Sequence, residues 1–160
     1  MFTPGHRLWG GLVSVYDFIE NYGTGGGLCR PLFAEFLAGA ADALQKPALG
    51  SLGERYADLG RAWSELAEAA LPDSVPALRA VKELHGRKAE LTNSDGPAAT
   101  GEVRACWAGL DEAKRRAKEA FPLSDDDCAA LRADLQRRVR AIYENETAAH
   151  QALGEVIAVL

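Results

Sequence analysis

The sequence predicts an all-α protein, a single-domain bundle of about six helices spanning residues 1–160 with a long C-terminal helix. Apolar residues recur at steps of three and four through nearly the whole chain, and no run shows the strict alternation of a half-buried strand. With 48% apolar and 26% charged residues the composition is that of an ordinary globular chain. A chain of this length buries roughly 70% of the surface it exposes when unfolded, so it needs no staples.

Each element has its own signal. Leu8, Leu12, Val15, Ile19 and Tyr22 define a first helix over residues 8 to 21, weakened near its start by Gly10 and Gly11. A glycine-rich stretch, Gly23 to Gly27, follows. Pro31 suits the first turn of a second helix, whose stripe is Phe33, Phe36, Leu37, Ala40, Ala41 and Leu44 and which ends near Pro47. Ser51 with Glu54 reads as a capping box opening a third helix. Its inward face is Leu52, Tyr56, Leu59, Trp63, Leu66 and Ala70, and Pro72 closes it.

Asp73 or Ser74 caps a fourth helix with Pro76 in its first turn, and its buried side is Val75, Leu78, Val81, His85 and Leu91. Residues 92 to 101, TNSDGPAATG, are small and polar and carry both Gly and Pro, which predicts a flexible loop with a protease-sensitive tip. Val103, Trp107, Leu110, Ala117 and Phe121 mark a fifth helix up to Pro122. Ser124 and three aspartates then open the last one. Its seam runs Leu135, Val139, Ile142, Glu146, Ala149, Leu153, Val156 and Leu160, long enough to outrun its neighbours and to suggest a homodimer.

Charge and cysteine usage narrow the function. The net charge is −5, with 13 Arg against 5 Lys, so the lysine-rich patch that neutralises phosphates is missing and nucleic acid is not an expected partner. Cys29, Cys106 and Cys128 are odd in number and far apart, which argues against a disulfide framework and for a reducing cytoplasm. The opening MFTPGHRLWGG has no basic segment leading into a long apolar run, and no stretch approaches a membrane span. A cytoplasmic protein without a membrane partner is the expectation.

The glycine stretch has two physical readings. As an anion cradle it would turn backbone N–H groups toward a phosphate or carboxylate, aided by Arg30. No Gly-Lys-Ser/Thr closes it and no strand precedes it, so it is neither a P-loop nor a dinucleotide fingerprint. As a structural device it would let two helices turn sharply and pack closely, with Arg30 tied to carbonyls or to Glu35.

Cys29, at the opening of the second helix, is where a dipole favours a thiolate, although no histidine is near it in sequence. Glu146 and His150, four apart, lie side by side on a helix, so the carboxylate can orient the imidazole. The di-iron pattern needs Glu and His three apart on paired helices, which does not recur, and no metal or other cofactor is expected.

The run from Glu20 to Leu37, ENYGTGGGLCRPLFAEFL, followed by an Ala-rich helix, Tyr56 and Trp63-Ser-Glu-Leu-Ala, resembles the C-terminal helical domain of the butirosin biosynthesis protein H family. The shared features are a glutamate, GTGGG, an arginine and an aromatic-rich helix. The likeness covers residues 16 to 70, with Gly23, Thr24, Gly25, Gly26, Gly27, Arg30, Glu35 and Trp63 as matching positions. It implies acyl-transfer chemistry in bacterial natural-product assembly. Best-understood members look like papain-fold acyltransferases moving an aminoacyl group from a carrier-protein thioester to an amine. Their cysteine and histidine belong to an N-terminal domain without a counterpart in these residues, so none of the family's catalytic residues carries over.

Three functions follow as expectations. The first is a small standalone enzyme acting on an acyl or amino-acid-derived intermediate near the GTGGG turn. Gly25, Gly26, Gly27, Arg30 and Trp63 would then bind substrate, with Glu35, Tyr22 and Glu146 as catalytic groups. The second is a non-catalytic partner of a separate acyltransferase chain or of a carrier protein, docking through Arg61, Arg132, Arg137, Arg138 and Arg140. The third is a dimeric ligand-binding scaffold.

Overall fold

The helical periodicity is realised as α1 (Pro4–Glu20), α2 (Cys29–Leu44), α3 (Pro47–Ala70), α4 (Pro76–Ser94), α5 (Thr100–Glu119) and α6 (Asp125–Ile157), with a 3₁₀ turn at Gly96–Ala99. The computed structural model describes residues 4–22, 27, 29–94 and 96–159, and among these there is no strand. Most of the glycine stretch, Gly23 to Gly26, lies outside the described residues, as does Leu160.

Three apolar clusters hold the helices together. The largest takes Trp9, Leu12, Tyr16 and Ile19 from α1, Leu66, Ala67 and Ala70 from α3, Leu78 and Val81 from α4, Ala117 from α5 and Ile142 from α6. A second joins Leu37 of α2 to Leu49 and Leu52 of α3, with Ala152, Leu153 and Val156 of α6 packed against it. The third, Leu91, Ala99 and Cys106, binds the α4–α5 corner. At 33 residues α6 spans about 50 Å, so its first half serves the large cluster and its last turns the second. Ile142 and Ala149 are buried within the chain, which spends most of the expected seam internally and leaves Val139 exposed.

Helix ends depart from expectation where tertiary burial outweighs local signals. α3 begins at Pro47 instead of Ser51, because proline is preorganised for a first turn and the earlier start buries Leu49. Ser51 and Glu54 therefore lie inside the helix. Residues 92 to 101 are largely helical rather than a loop: α4 runs on to Ser94, Gly96 reverses the chain at φ 50°, and buried Ala99 anchors the turn. In α5 the inward stripe is Cys106, Leu110, Ala113 and Ala117, so Trp107, placed inward by the sequence reading, is 47% exposed.

The start of α6 matches its signal. Ser124 Oγ accepts from the Asp127 N–H at 3.1 Å and donates to Asp127 Oδ2 at 2.6 Å, with three aspartates at the positive end of the helix dipole. Ser124→Ala is expected to cost about 0.5–2 kcal/mol, read as a lower urea midpoint at unchanged slope. An unchanged midpoint would mean that the cap contributes nothing.

Close helix contacts fall on glycines. A Cβ on Gly53 would stand 2.9 Å from the Ala34 carbonyl oxygen, and one on Gly60 2.9 Å from Pro31 Cδ, so α2 lies directly on the α3 backbone. Gly27 is buried, and its Cβ would meet Ile19 Cγ2 at 2.8 Å. For Gly27 the close-approach reading is the one the geometry supports.

Candidate functional site

Close packing of α2 on α3 carries Arg30, in the first turn of α2, across to α6. There its Nε donates to Glu146 Oε1 at 2.8 Å and its Nη2 stands 2.7 Å from the same oxygen. Trp63 of α3 donates its indole N–H to that oxygen at 2.8 Å, and the guanidinium carbon lies 5.8 Å from the Trp63 ring centre. A carboxylate held this way is fixed in orientation by three helices. It occupies the one polar slot of the α6 seam, between the parts of α6 that serve the two larger clusters.

Arg30 and Glu146 of this network line a groove of about 710 Å³, and Trp63, expected to bind substrate, supports Glu146 from outside that lining. From α2 come Cys29, Arg30 and Phe33, from α3 Tyr56, and from α6 Tyr143, Glu146, Thr147 and His150. The Phe33 and Tyr56 rings meet edge to face at 4.7 Å. Burial raises the Tyr56 phenol above its ordinary value, the Glu146 charge adds to that, and Arg30 partly offsets it. The hydroxyl therefore stays a neutral donor at physiological pH.

Of the residues expected at a site, Arg30, Glu146 and Trp63 come together, and the groove also gathers Cys29 and His150. Arg30 pairs with Glu146 and not with Glu35, which is exposed and outside the groove lining. Glu146 in turn is engaged by Arg30 and Trp63, while His150 is an exposed neighbour on the groove. Tyr22 lies elsewhere, beside Lys88. Gly27 packs on Ile19, and Gly25 and Gly26 are outside the described residues. Tyr56 and Tyr143 are groove residues that the periodicity reading treated as core or passed over. Among the described residues no group of three or more His, Cys, Asp or Glu is placed to hold a metal ion.

A second polar cluster lies at the junction of α1, α4 and α5. Asp17 Oδ1 contacts His85 Nδ1 at 2.8 Å and accepts from Asn21 Nδ2 at 2.7 Å, and Lys88 Nζ stands 3.6 Å from it. His85 is 4% exposed. Burial lowers its pKa below the ordinary histidine value, Asp17 works against that, and the Lys88 charge reinforces it. The unfolded chain's histidine, near about 6.5, takes up a proton that folded His85 resists. Stability contributed above that pH is therefore lost as pH falls through it toward the depressed folded value. Urea midpoints at pH 7.5 and 5.5 are expected to differ less in His85→Asn than in the wild type. Equal differences would exclude His85 as a source of the pH dependence.

Fold and site together define an all-α protein with a charged, aromatic-walled groove between three helices. Residues 7–94, more than half of the chain, match the family described as Domain of unknown function (DUF4872), and the chain belongs to that family. The matched region holds Arg30, Trp63, Asp17, His85 and Lys88, while Glu146 comes from beyond it. No curated protein and no solved structure matches the chain.

Proposed function

We propose that this protein is a small cytoplasmic enzyme of bacterial natural-product biosynthesis that takes an acyl or amino-acid-derived intermediate into the groove between α2, α3 and α6. The observation that carries this reading is the Arg30–Glu146 pair in the groove wall, held in place by the Trp63 N–H. Its contacts use Arg30 Nε and Nη2 and Glu146 Oε1, leaving Nη1 and Oε2 without partners among the described residues. An aminoacyl group complements that pattern: its carbonyl oxygen accepts from Arg30 and its ammonium donates to Glu146. Phe33, Tyr56 and Tyr143 supply apolar surface for the side chain or acyl portion.

For acyl transfer from a thioester to an amine, the C–N bond forms as the C–S bond breaks. The amine proton passes to Glu146 Oε2 and is returned to the departing thiolate. Arg30 stabilises the oxygen charge that develops at the carbonyl. Trp63 keeps Glu146 in place, whereas Tyr22 and Glu35, outside the groove, take no part. The resemblance of residues 16 to 70 to the helical domain of the butirosin biosynthesis protein H family supports the choice of an acyl substrate.

A second reading, a docking subunit for a carrier protein or a separate acyltransferase chain, or a homodimeric scaffold, draws on the outer face of α6. Val139 and Tyr143 are 47% and 69% exposed there, beside Arg132 and Arg140. Arg61 is engaged by Asp58, and Arg137 and Arg138 by Asp134, which reduces the basic face that the sequence suggested.

One assay separates the readings. The chain is mixed with an aminoacyl-pantetheine thioester and an amine acceptor, and thiol release is followed in wild type, Glu146→Gln and Arg30→Ala. Release in the wild type that drops at least tenfold in both variants is expected, as for loss of one charge-stabilising group. Binding without release would favour the docking subunit. Neither binding nor release would remove the groove as a site for this substrate class.

A further inference from the structure

Lys88 is not explained by the groove. Its residue is 6% exposed on α4, and among the described residues no acceptor lies within hydrogen-bond distance of Nζ. The Asp17 carboxylate stands 3.6 Å away, with the same oxygen already engaged by His85 and Asn21. What surrounds the ammonium instead is aromatic: Nζ lies 4.4 Å from the centre of the Trp107 ring and 5.5 Å from that of Tyr22. Ring faces attract a cation but accept no conventional hydrogen bond. Buried charged donors in native proteins nearly always find an acceptor, so an amine with three N–H groups and none in reach marks a place built for one.

The covers over the amine are themselves near solvent. Trp107 is 47% exposed and Tyr22 is 55% exposed, so either ring can turn outward without opening the large apolar cluster, to which neither belongs. Charge selects what enters. Asp17 and Lys88 balance each other beside a neutral imidazole, so a monoanion adds one negative charge, whereas a dianion would meet Asp17 at close range. The two rings select shape, because flat apolar surface stacks on them and a hydrated tetrahedral ion does not.

We propose that Lys88 anchors a second binding site, separate from the α2–α3–α6 groove, for a small carboxylate with a planar apolar body. The carboxylate accepts from Nζ, and the planar body lies against Trp107 and Tyr22. Asp17, held by His85, stays as the counter-charge of the amine.

The test titrates benzoate, acetate, methyl benzoate and inorganic phosphate into the full chain, following the Trp107 indole N–H resonance, assigned with Trp107→Phe. Benzoate is expected to shift it saturably, with a dissociation constant at least tenfold below that of acetate, while the uncharged ester and phosphate leave it in place. Lys88→Met is expected to abolish the benzoate response and Arg30→Ala to preserve it. Trp107→Ala, at an exposed position, removes that reporter and is followed by isothermal titration calorimetry instead; it is expected to erase the preference for benzoate over acetate, which keeps the test open if Lys88→Met fails to fold. The proposal is overturned if benzoate gives no saturable shift, if phosphate matches it, or if the response survives Lys88→Met. Loss of the response in Arg30→Ala would assign the ligand to the groove and equally overturn a separate site.

Discussion

Asp17→Ala is expected to destabilise the protein by about 3–5 kcal/mol, the usual consequence of removing one partner from a buried charge pair. Three groups depend on its Oδ1: His85 at 2.8 Å, Asn21 at 2.7 Å and the Lys88 ammonium at 3.6 Å. The large effect comes from Lys88, which would remain 6% exposed with no other carboxylate within 4 Å among the described residues. Cation–π contacts with Trp107 and Tyr22 offset only about 1–2 kcal/mol of that. Replacing both partners, as in Asp17→Ala with Lys88→Met, is expected to recover about 2 kcal/mol, because an apolar side chain tolerates the same surroundings. Urea denaturation of the single and double variants measures both quantities. A loss below about 1 kcal/mol for Asp17→Ala would mean that water reaches the amine and that the cluster is not a buried pair.

The second large effect is expected at Leu12. This residue is 2% exposed and sits with Trp9, Tyr16 and Ile19 on the face of α1 that enters the main cluster between α3, α4 and α5. Leu12→Ala removes three side-chain carbons, two of them methyls, from a site walled by several helices, so the cavity has little freedom to collapse. The expected cost is about 2–5 kcal/mol, from lost transfer energy plus the void. Phe18→Ala on the same helix, at 51% exposure, is expected to change stability by less than about 0.5 kcal/mol. Comparable losses at both positions would show that α1 does not pack by the face described here.

Much of the fold was legible because helices advertise themselves by period. Of Val75, Leu78, Val81, His85 and Leu91, placed on the buried side of α4, all but Val75 are buried; Val75 precedes the helix and is partly buried. Ser124 before three aspartates located the start of α6 within a residue. The misplaced boundaries were those decided by distant contacts. The capping box at Ser51 is a sound local signal, but burying Leu49 extends α3 back to Pro47. The polar, glycine-containing stretch 92–101 is drawn into helix by Ala99, whose partners Leu91 and Cys106 lie on two helices.

The candidate site was legible in part for the same reason. Glu146 stood out as the one carboxylate in an apolar seam, and Arg30 and Trp63 were singled out, yet nothing local reveals that all three meet on one oxygen atom. Arg30 reaches Glu146 across 116 positions of chain, whereas Glu35 is nearby in sequence and was the natural guess. Gly53 and Gly60, seven apart on one face of α3, set how closely α2 approaches, and isolated glycines in a helical pattern carry no local sign of that role. Lys88 had a readable signal: it falls three after His85 and three before Leu91, on the stripe already assigned to the core.

The three tryptophans report on three separate places: Trp9 in the main cluster, Trp63 on the groove carboxylate Glu146 and Trp107 over Lys88. The most direct measurement of the groove is therefore an indole N–H spectrum of the isotope-labelled chain, titrated with an aminoacyl-pantetheine thioester. The expected result is a saturable shift of the Trp63 resonance with Trp9 unmoved, abolished in Arg30→Ala, since the ligand must share Glu146 with the Trp63 N–H. A Trp63 resonance that stays fixed while the thioester demonstrably binds would contradict the assignment of the Arg30–Glu146–Trp63 groove as the functional site.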